Sequence, residues 1–469
     1  MDRENKLIKN TLIISIGTLS TKLVQFFLIP LYTRFLSPSE YGIVELFITI
    51  TSLCIPIISF QIEQGMFRFL VDSRNNKKNI QKIVSTTLFF VLLCIITFSS
   101  LFVLISFFIK VEYKFFILIN TISCLVNILL LQVARGLGNN KVYSIAGVIT
   151  GLSTVIFNII FLVFLNLKAF GMLTGTLLGY IIGIIYLFVK LKIYSFISIR
   201  SFDKKELKKL LNYSLPLVPN QISWWIFGTS DRFIVSYLLG LASTGILSIG
   251  YKFSNAYIQI YNVFNLSWTE SVTLHINDYD FEKYFNDIFN KMVKLFSLGG
   301  ICIISTIPFI FKIFVSSSYY EAYFLIPIAI VATIFQMIVG LISTIYIAKN
   351  DTKIIATTSV LSAVLNVSSH LLLLKHIGLY AAVVSTLISY VFFSCYRFID
   401  INKKYNKISF IPKNVLIILF SATIVLLSYY SKNLYFIFMT TIVSYFTFLF
   451  ENKWIFKDLK KILIKKQIK

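Results

Sequence analysis

The sequence predicts an all-α polytopic membrane protein with about 14 transmembrane helices, and three observations lead to that fold class. The chain of 469 residues is 57% hydrophobic and only 14% charged, whereas soluble domains carry about 25% charged residues. Apolar runs of about 20 residues, the length that crosses a bilayer core, recur from one end to the other. Basic residues collect in every second connection between these runs.

The first apolar run follows a polar, basic N-terminus. It contains Lys22, lacks a small-residue cleavage site and is too long for a signal peptide, so we interpret it as an uncleaved membrane helix. With edges uncertain by a few residues, the predicted spans are 11–33, 41–63, 84–109, 116–135, 142–165, 169–190, 213–239, 245–270, 292–314, 322–346, 354–374, 378–399, 412–430 and 434–450.

The basic residues predict the orientation of the spans. Of the 44 Lys and Arg residues, 33 lie in one alternating set of connections and 6 in the other. Because basic connections stay on the cytoplasmic side, both termini are predicted to be cytoplasmic. The net charge of +24 is therefore a topology signal that also suits an anionic lipid bilayer, and we expect no nucleic-acid partner.

The connections and the cysteines exclude several classes of protein. No predicted connection is long enough for a soluble catalytic domain, and Gly-Lys never occurs, so a P-loop ATPase motif is absent. The five cysteines lie in apolar runs without metal-ligand spacing, which indicates packing residues rather than disulfides or a zinc site. We expect neither an enzyme nor a cofactor.

The sequence contains an internal repeat. The segment 6–12 resembles 209–215, and 36–42 resembles 239–245, with the same offset. Six spans separate the copies, and an even number predicts parallel repeats about an axis normal to the membrane. The predicted domains are 1–200 and 201–405, each a bundle of six helices, followed by 406–469 with two further helices and a basic tail.

The stretch 215–270 carries charges inside two long apolar helices, at Asp231, Arg232 and Lys252. A charge at the centre of a membrane helix costs about 3 kcal/mol or more unless it faces protein or water. Three of them in one helical hairpin predict an interior that accommodates polar cargo or ions. Pro216 and Pro219 open the first helix of this pair and permit a bend.

Polar residues form stripes in several spans. Glu45, Thr49, Ser52, Pro56 and Ser59 follow each other at helical spacing in the second span. The repeat offset maps them onto five residues of the eighth span, which are Ser248, Lys252, Asn255, Gln259 and Asn262. The fifth span carries a shorter stripe of Thr150, Thr154 and Asn158, and the eleventh span carries one of Thr358, Ser362 and Asn366. We favour a water-accessible cleft between the two bundles; helix–helix hydrogen bonding is the alternative.

These features together resemble the polysaccharide flippases that move O-antigen or capsule repeat units, members of the superfamily that includes the lipid II flippase and the multidrug and toxin extruders. The resemblance depends on the six-plus-six-plus-two spans, on L-S-P-S-E-Y-G at 36–42, and on P-x-x-P, D-R and G in the seventh span before Y-K in the eighth. It implies two bundles around a V-shaped cleft, a bacterial cytoplasmic (inner) membrane location, and transport of undecaprenyl-pyrophosphate-linked oligosaccharide to the outer leaflet. Glycan polymerase and glycosyltransferase are the expected protein partners.

A pyrophosphate requires cations in a cleft of low dielectric constant, and sugars require amides and aromatic rings. The candidate substrate-binding residues are Lys22, Arg34, Arg232, Lys252, Asn255, Gln259 and Trp224. Trp225, Tyr251 and Tyr257 are further candidates for stacking on sugars, and packing against lipid is the alternative for all these aromatics.

The resemblance also implies ion coupling. The lipid II flippases bind sodium with an Asp in span seven and polar residues of spans eleven and twelve. The matching positions here, together with the acidic residue of the second span's stripe, are the candidate ion-coupling residues: Asp231, Asn366, His370, Thr386 and Glu45. His370 replaces a carboxylate, so both H+ and Na+ stay open. A cation-coupled multidrug extruder of the same superfamily is the alternative function.

Overall fold

A computed structural model describes residues 26–108, 112–349, 351–405 and 408–454. Every long element is a helix, which confirms the predicted all-α fold. In chain order the helices are α1 Ile29–Phe35, α2 Pro38–Ser59, α3 Ile62–Ser73, α4 Lys77–Ser106, α5 Lys114–Gly136, α6 Asn140–Ile159, α7 Lys168–Lys190, α8 Lys204–Ser214, α9 Leu217–Leu238, α10 Leu241–His275, α11 Phe281–Phe314, α12 Ala322–Ala348, α13 Thr352–Ile377, α14 Tyr380–Lys404, α15 Pro412–Ser431 and α16 Leu434–Glu451.

Within the described ranges, eleven helices are long and apolar enough to cross a membrane. They coincide with the predicted spans except the first, seventh and eighth. Most of the first span lies outside the described residues, whereas α9 and α10 have 22 and 35 residues but carry many polar side chains. The chain is a multi-pass membrane protein, and the total of fourteen spans stays a prediction.

The chain divides into two compact units, Met1–Ser248 and Ile249–Lys469. The first unit contains α1 to α9 and the beginning of α10, and the second unit contains the rest of α10 and α11 to α16. The boundary lies inside the continuous helix α10. The three sequence-based domains, 1–200, 201–405 and 406–469, stay predictions.

The motif at 36–42 forms the start of α2. Ser37 and Glu40 form a capping box, in which the Ser37 Oγ accepts from the Glu40 amide at 3.3 Å and a Glu40 carboxylate oxygen accepts from the Ser37 amide at 2.8 Å. Pro38 occupies the first helical turn, where its missing N–H is harmless. The motif therefore fixes where α2 begins.

The predicted second span is too long at its C-terminal end. Phe60 and Gln61 adopt left-handed backbone angles, with φ of 50° and 56°, and they end α2 before the chain continues as α3. Two consecutive residues of this kind are unfavourable without glycine. The segment after residue 63, which we expected to be a basic connection, is thus largely helical. The acidic residue Glu63 is buried at the start of α3.

The glycines of α7 receive the polar stripe of α6. A Cβ added to Gly175 would lie 2.2 Å from Asn158 Oδ1, and one added to Gly179 would lie 2.0 Å from Thr154 Oγ1. Only glycine leaves room for such close packing. The interpretation of this stripe as part of a water-accessible cleft is therefore wrong, and the alternative, helix–helix contact, is correct for α6.

The stripe of α13 is also buried. Thr358, Ser362 and Asn366 are at most 5% exposed, and Thr358 and Asn366 hydrogen-bond to side chains of α14. These residues likewise connect helices within one unit.

The two glycines related by the internal repeat contact each other's helices. A Cβ on Gly42 would lie 1.9 Å from the Leu241 carbonyl oxygen, and a Cβ on Gly245 would lie 2.1 Å from the Pro38 carbonyl oxygen. Leu241 and Pro38 each precede the repeat-related glycine by four residues, so the contact is reciprocal. The beginnings of α2 and α10 thus approach each other closely through glycine.

The connection between α9 and α10 is shorter than expected. The predicted seventh and eighth spans leave 240–244 between them, but the chain is helical from Leu241 onwards, and only Leu239 and Gly240 separate the two helices. Gly240 has φ of +90°, the conformation in which glycine commonly ends a helix.

The last two helices pack on α11 through polar groups. Lys294 Nζ lies 2.9 Å from a Glu451 carboxylate oxygen, and the hydroxyls of Ser305 and Ser444 are 2.9 Å apart. Hydrogen bonds between membrane helices contribute about 0.6 kcal/mol each. The pair α15–α16 is therefore attached to the second unit by a row of specific contacts.

Candidate functional site

An ion pair lies inside the first unit, between α2 and α9. Arg232 Nε is 3.5 Å from Glu45 Oε2, and the two residues are 9% and 3% exposed. Tyr41 donates its hydroxyl to the other oxygen of Glu45 at 2.7 Å, and Arg232 Nε lies 3.1 Å from the Ser248 hydroxyl. One carboxylate oxygen thus accepts a hydrogen bond from Tyr41, and the other faces the guanidinium of Arg232.

Burying two charges costs several kcal/mol each, and their attraction compensates only when the geometry is good and further hydrogen bonds are present. The pair at Glu45 and Arg232 has such supporting bonds. An apolar pair would pack α2 against α9 at lower cost. Neutralising either residue therefore removes the ion pair from a buried environment, so the two residues depend on each other.

A second connection joins α2 and α9 two helical turns away. Trp225 donates its indole N–H to the Thr49 carbonyl at 3.1 Å and lies 3.0 Å from the Ser52 hydroxyl. In this way the stripe residues Glu45, Thr49 and Ser52 all face α9. The neighbouring Trp224 is 45% exposed and is not bound in this contact.

Asp231 precedes Arg232 on α9 and is 4% exposed. Successive helical side chains point about 100° apart, and Glu45 is a partner of Arg232.

The candidate ion-coupling residues of the second unit lie on α13 and α14. Asn366 Nδ2 donates to Thr386 Oγ1 at 3.3 Å, and the Tyr251 hydroxyl of α10 lies 3.3 Å from the same oxygen. His370 is fully buried one turn after Asn366. The structure thus brings Asn366 and Thr386 together, whereas Asp231 and Glu45 belong to the first unit.

The stripe on α10 leaves the first unit after Ser248. Lys252 is half-buried, and Asn255 is exposed beyond it. Gln259 Nε2 lies 3.4 Å from the Asn255 carbonyl oxygen and Gln259 Oε1 lies 3.5 Å from Asn262 Nδ2, so these residues share one face as predicted. Tyr257 is buried and donates its hydroxyl to the Phe296 carbonyl, so it packs inside the second unit rather than presenting a ring to a ligand.

Two candidates, Lys22 and Arg34, do not take part in the contacts described above. Lys22 lies outside the described residues. Arg34, in the last turn of α1, is exposed, and the structure places it in no cluster with the other candidates.

The model of the family described as "polysaccharide biosynthesis protein" matches residues 7–268, more than half of the chain. The chain belongs to this family. No curated protein matches it. Among solved structures, the lipid II flippase MurJ in an inward closed conformation has a TM-score of 0.69 at 18% identity, covering 96% of this chain and 99% of MurJ.

An inward-facing multidrug resistance MATE family transporter of the MOP superfamily has a TM-score of 0.64 at 14% identity, with 84% of this chain and 96% of that chain covered. An outward-facing member of that family has a TM-score of 0.58 at 14% identity, covering 83% and 94%. At these identities the comparison shows the fold alone. The resemblance expected from the sequence is confirmed at the level of family and fold.

Sequence reasoning missed two buried charges of this family member. Arg397 is counted in the larger, cytoplasmic set of basic residues, at the end of the predicted span 378–399, but it is 2% exposed inside α14. Glu63 was treated as the edge of a span, but it is 1% exposed at the start of α3. In both cases the available signal was a charge at the margin of an apolar run.

Proposed function

We propose that this family member moves undecaprenyl-pyrophosphate-linked oligosaccharide repeat units from the cytoplasmic to the outer leaflet of a bacterial cytoplasmic membrane by alternating access, with both termini cytoplasmic. The buried Glu45–Arg232 pair carries the proposal. A guanidinium in a site of low dielectric constant binds a phosphate strongly and bidentately, and family membership supplies the link to polysaccharide assembly.

The ion pair suggests how substrate binding is coupled to an ion. While Glu45 is charged, it competes with a pyrophosphate for Arg232. A proton or sodium ion that neutralises Glu45 releases the guanidinium to the substrate, and departure of the ion reverses this. Such an exchange gives the two states different affinities, which alternating access requires. Asp231, adjacent on α9, and the group Asn366, His370 and Thr386 are proposed to complete the ion-coupling set.

The remaining candidates are assigned by chemistry. Lys22, Arg34 and Lys252 are proposed to add positive charge for the pyrophosphate, as phosphate affinity rises with each charge-assisted contact. Asn255, Gln259 and Trp224, which are at least partly exposed, are proposed to contact the glycan. We propose that glycosyltransferases supply the substrate and that a glycan polymerase uses the flipped product.

The test is transport in vesicles of the full chain with an imposed proton or sodium gradient and an undecaprenyl-pyrophosphate-linked oligosaccharide inside. We expect one gradient to accelerate export and Glu45→Gln or Asp231→Asn to abolish that acceleration. Thr49→Val, a substitution on the same face of α2, serves as the control. Rates independent of both gradients in the wild-type protein would remove the coupling role and leave a flip driven by the glycan concentration.

A cation-coupled multidrug exporter of the MATE type is the second candidate, and the likeness in fold to the inward-facing MATE transporter favours it. The two functions differ in their substrates, since only the lipid-linked glycan carries a pyrophosphate. The buried guanidinium of Arg232 favours the pyrophosphate. Efflux of a fluorescent drug from the same vesicles, without export of the lipid-linked glycan, would establish this alternative instead.

A further inference from the structure

A cavity of about 420 Å³ lies within the first unit. Residues of α2, α3, α5 and α7 form most of its wall, and Gln221 of α9 closes one side. The volume is within the range of about 300–1,000 Å³ that is usual for small-molecule sites. Its polar lining includes Glu63, Asn120, Gln61, Gln64, Thr51 and Ser52.

Two side chains in this wall have unsatisfied polar atoms. Glu63 is 1% exposed and Asn120 is 7% exposed. Within the described part of the chain, Glu63 Oε2 and both amide atoms of Asn120 have no hydrogen-bond partner. Each buried unsatisfied group costs about 1–3 kcal/mol, more for a charged one, so two such side chains in one cavity wall require a bound molecule or ion that satisfies them.

The kinds of atoms limit the ligand. Glu63 Oε2 and Asn120 Oδ1 require donors, while Asn120 Nδ2 requires an acceptor. A sugar hydroxyl supplies both functions at once, whereas a metal cation satisfies only the oxygens. The lining contains no Lys or Arg, so it has no charge for a phosphate. Apolar walls at Phe47, Ile55 and Leu173 suit the C–H faces of a sugar ring.

We propose that this cavity binds a sugar ring of the transported glycan, with Glu63 and Asn120 hydrogen-bonding its hydroxyls, and that Glu63 makes it selective against uronic acids. The inference rests on the proposed function and deepens it, since it separates sugar recognition from pyrophosphate recognition. The lining contains one carboxyl group, that of Glu63. In its ionised form it repels a sugar carboxylate, and like charges brought together without compensation oppose binding.

The experiment measures the dissociation constants of three probes for the full chain in nanodiscs of phosphatidylethanolamine and phosphatidylglycerol. The probes are undecaprenyl pyrophosphate alone, the same lipid carrying a disaccharide of N-acetylglucosamine, and the same lipid carrying a disaccharide that contains glucuronic acid. We expect Asn120→Leu to weaken the neutral sugar probe about tenfold, the loss of one to two hydrogen bonds. The sugar-free probe should keep its affinity.

Asn127→Leu is the matched control, because Asn127 is also a buried amide of α5 with an unsatisfied Nδ2 but does not line the cavity. It should leave the ratio between the probes unchanged. Glu63→Gln keeps hydrogen-bonding capacity without the charge, so it should bind the neutral probe nearly as the wild type does and the glucuronic acid probe several-fold more tightly.

Equal weakening of all three probes by Asn120→Leu, or no weakening, would overturn the sugar site. The sugar site would also be overturned if Asn120→Leu or Glu63→Gln removed a sodium or proton dependence of binding but kept the preference for the sugar probe, because the cavity would then bind an ion. Wild-type protein that binds none of the probes would refute the proposed function itself. Binding of all three with one affinity would refute only the sugar site.

Discussion

Two buried arginines, one in each unit, have opposite surroundings. Arg232 faces the carboxylate of Glu45 at 3.5 Å. Arg397 is held by neutral oxygens: its Nε and Nη2 lie 3.2 and 2.9 Å from the Thr358 hydroxyl, and it also bonds the Ser343 hydroxyl. It stacks 4.1 Å from the ring centre of Phe393. Within the described part of the chain Arg397 forms no ion pair.

The difference separates a charge that can be switched from one that cannot. In the proposed mechanism, the environment of Arg232 changes when Glu45 gains a proton or a cation, whereas the hydroxyls of Thr358 and Ser343 around Arg397 stay neutral. Arg397 connects α12, α13 and α14 through these hydrogen bonds. On this proposal, the same residue type serves transport in the first unit and architecture in the second.

The largest expected effect is at Arg232. Arg232→Ala leaves Glu45 buried without its partner, which costs about 3–5 kcal/mol, and surface glycan export should be lost. The double variant Glu45→Met/Arg232→Met removes both charges, so the unfolding temperature in detergent should return to near the wild-type value while export stays absent. A double variant that still exports glycan would contradict the role assigned to the pair.

Arg397→Met should affect stability and not the rate. It removes several charge-assisted hydrogen bonds, each worth about 1.5–3 kcal/mol, so the unfolding temperature and the amount of protein in the membrane should fall. Export per molecule, measured after normalising to the amount inserted, should match the wild type. A lower export rate per inserted molecule would give Arg397 a role in transport like the one proposed for Arg232, and the contrast between the two arginines would be wrong.

Gly42→Ala tests whether helix spacing positions the switchable pair. The new Cβ would overlap the backbone at Leu241, and overpacking of this kind costs about 1–3 kcal/mol. Glu45 lies one turn further along α2, so its contact with Arg232 should loosen and export should decrease. Gly147→Ala is the control, because a Cβ there meets nothing within 4 Å, and the protein should become slightly more stable. Unchanged export by Gly42→Ala would show that spacing is unimportant.

The smallest effect is expected at an exposed ion pair, Lys82 with Asp203, whose charged atoms are 2.6 Å apart. The hydrogen bond from Lys82 lowers the pKa of Asp203. The pair therefore stabilises the fold above the unfolded-state pKa of about 3.9, and this contribution disappears as the pH falls through the lower folded-state pKa. Asp203→Asn should lower the unfolding temperature slightly at pH 7 and have no effect at strongly acidic pH. Asp203 Oδ1 also accepts hydrogen bonds from the amides of Lys205 and Glu206 at the start of α8. A deficit that persists in acid would indicate loss of this helix cap instead.

The sequence predicts the helical architecture well because membrane spans are long apolar runs, and the ends of α12, α15 and α16 agree with expectation to within two residues. It also identifies Arg232 and Glu45 individually. It does not predict their pairing, because residues 187 positions apart meet only through tertiary packing. The polar stripe of α6 was misassigned for a related reason. Periodicity shows that Thr150, Thr154 and Asn158 share a face, but only the packing shows that α7 covers it.

The cavity at Glu63 was beyond sequence reasoning. The break between α2 and α3 at Phe60 and Gln61 uses left-handed backbone angles in residues other than glycine, and no local pattern predicts that. Without the break, Glu63 would appear to be a charge at the end of a span, in contact with water. The actual turn buries it instead, and this is where prediction from spacing alone fails.

The reciprocal contact of Gly42 and Gly245 has the form of an interface between two identical subunits. In a symmetric dimer, each subunit presents the same patch to the other, so that residue i meets j and j meets i. Pro38 and Gly42 meet Leu241 and Gly245 in this manner, although all four belong to one polypeptide. The two glycines therefore depend on each other, because a larger residue on either side closes the same gap.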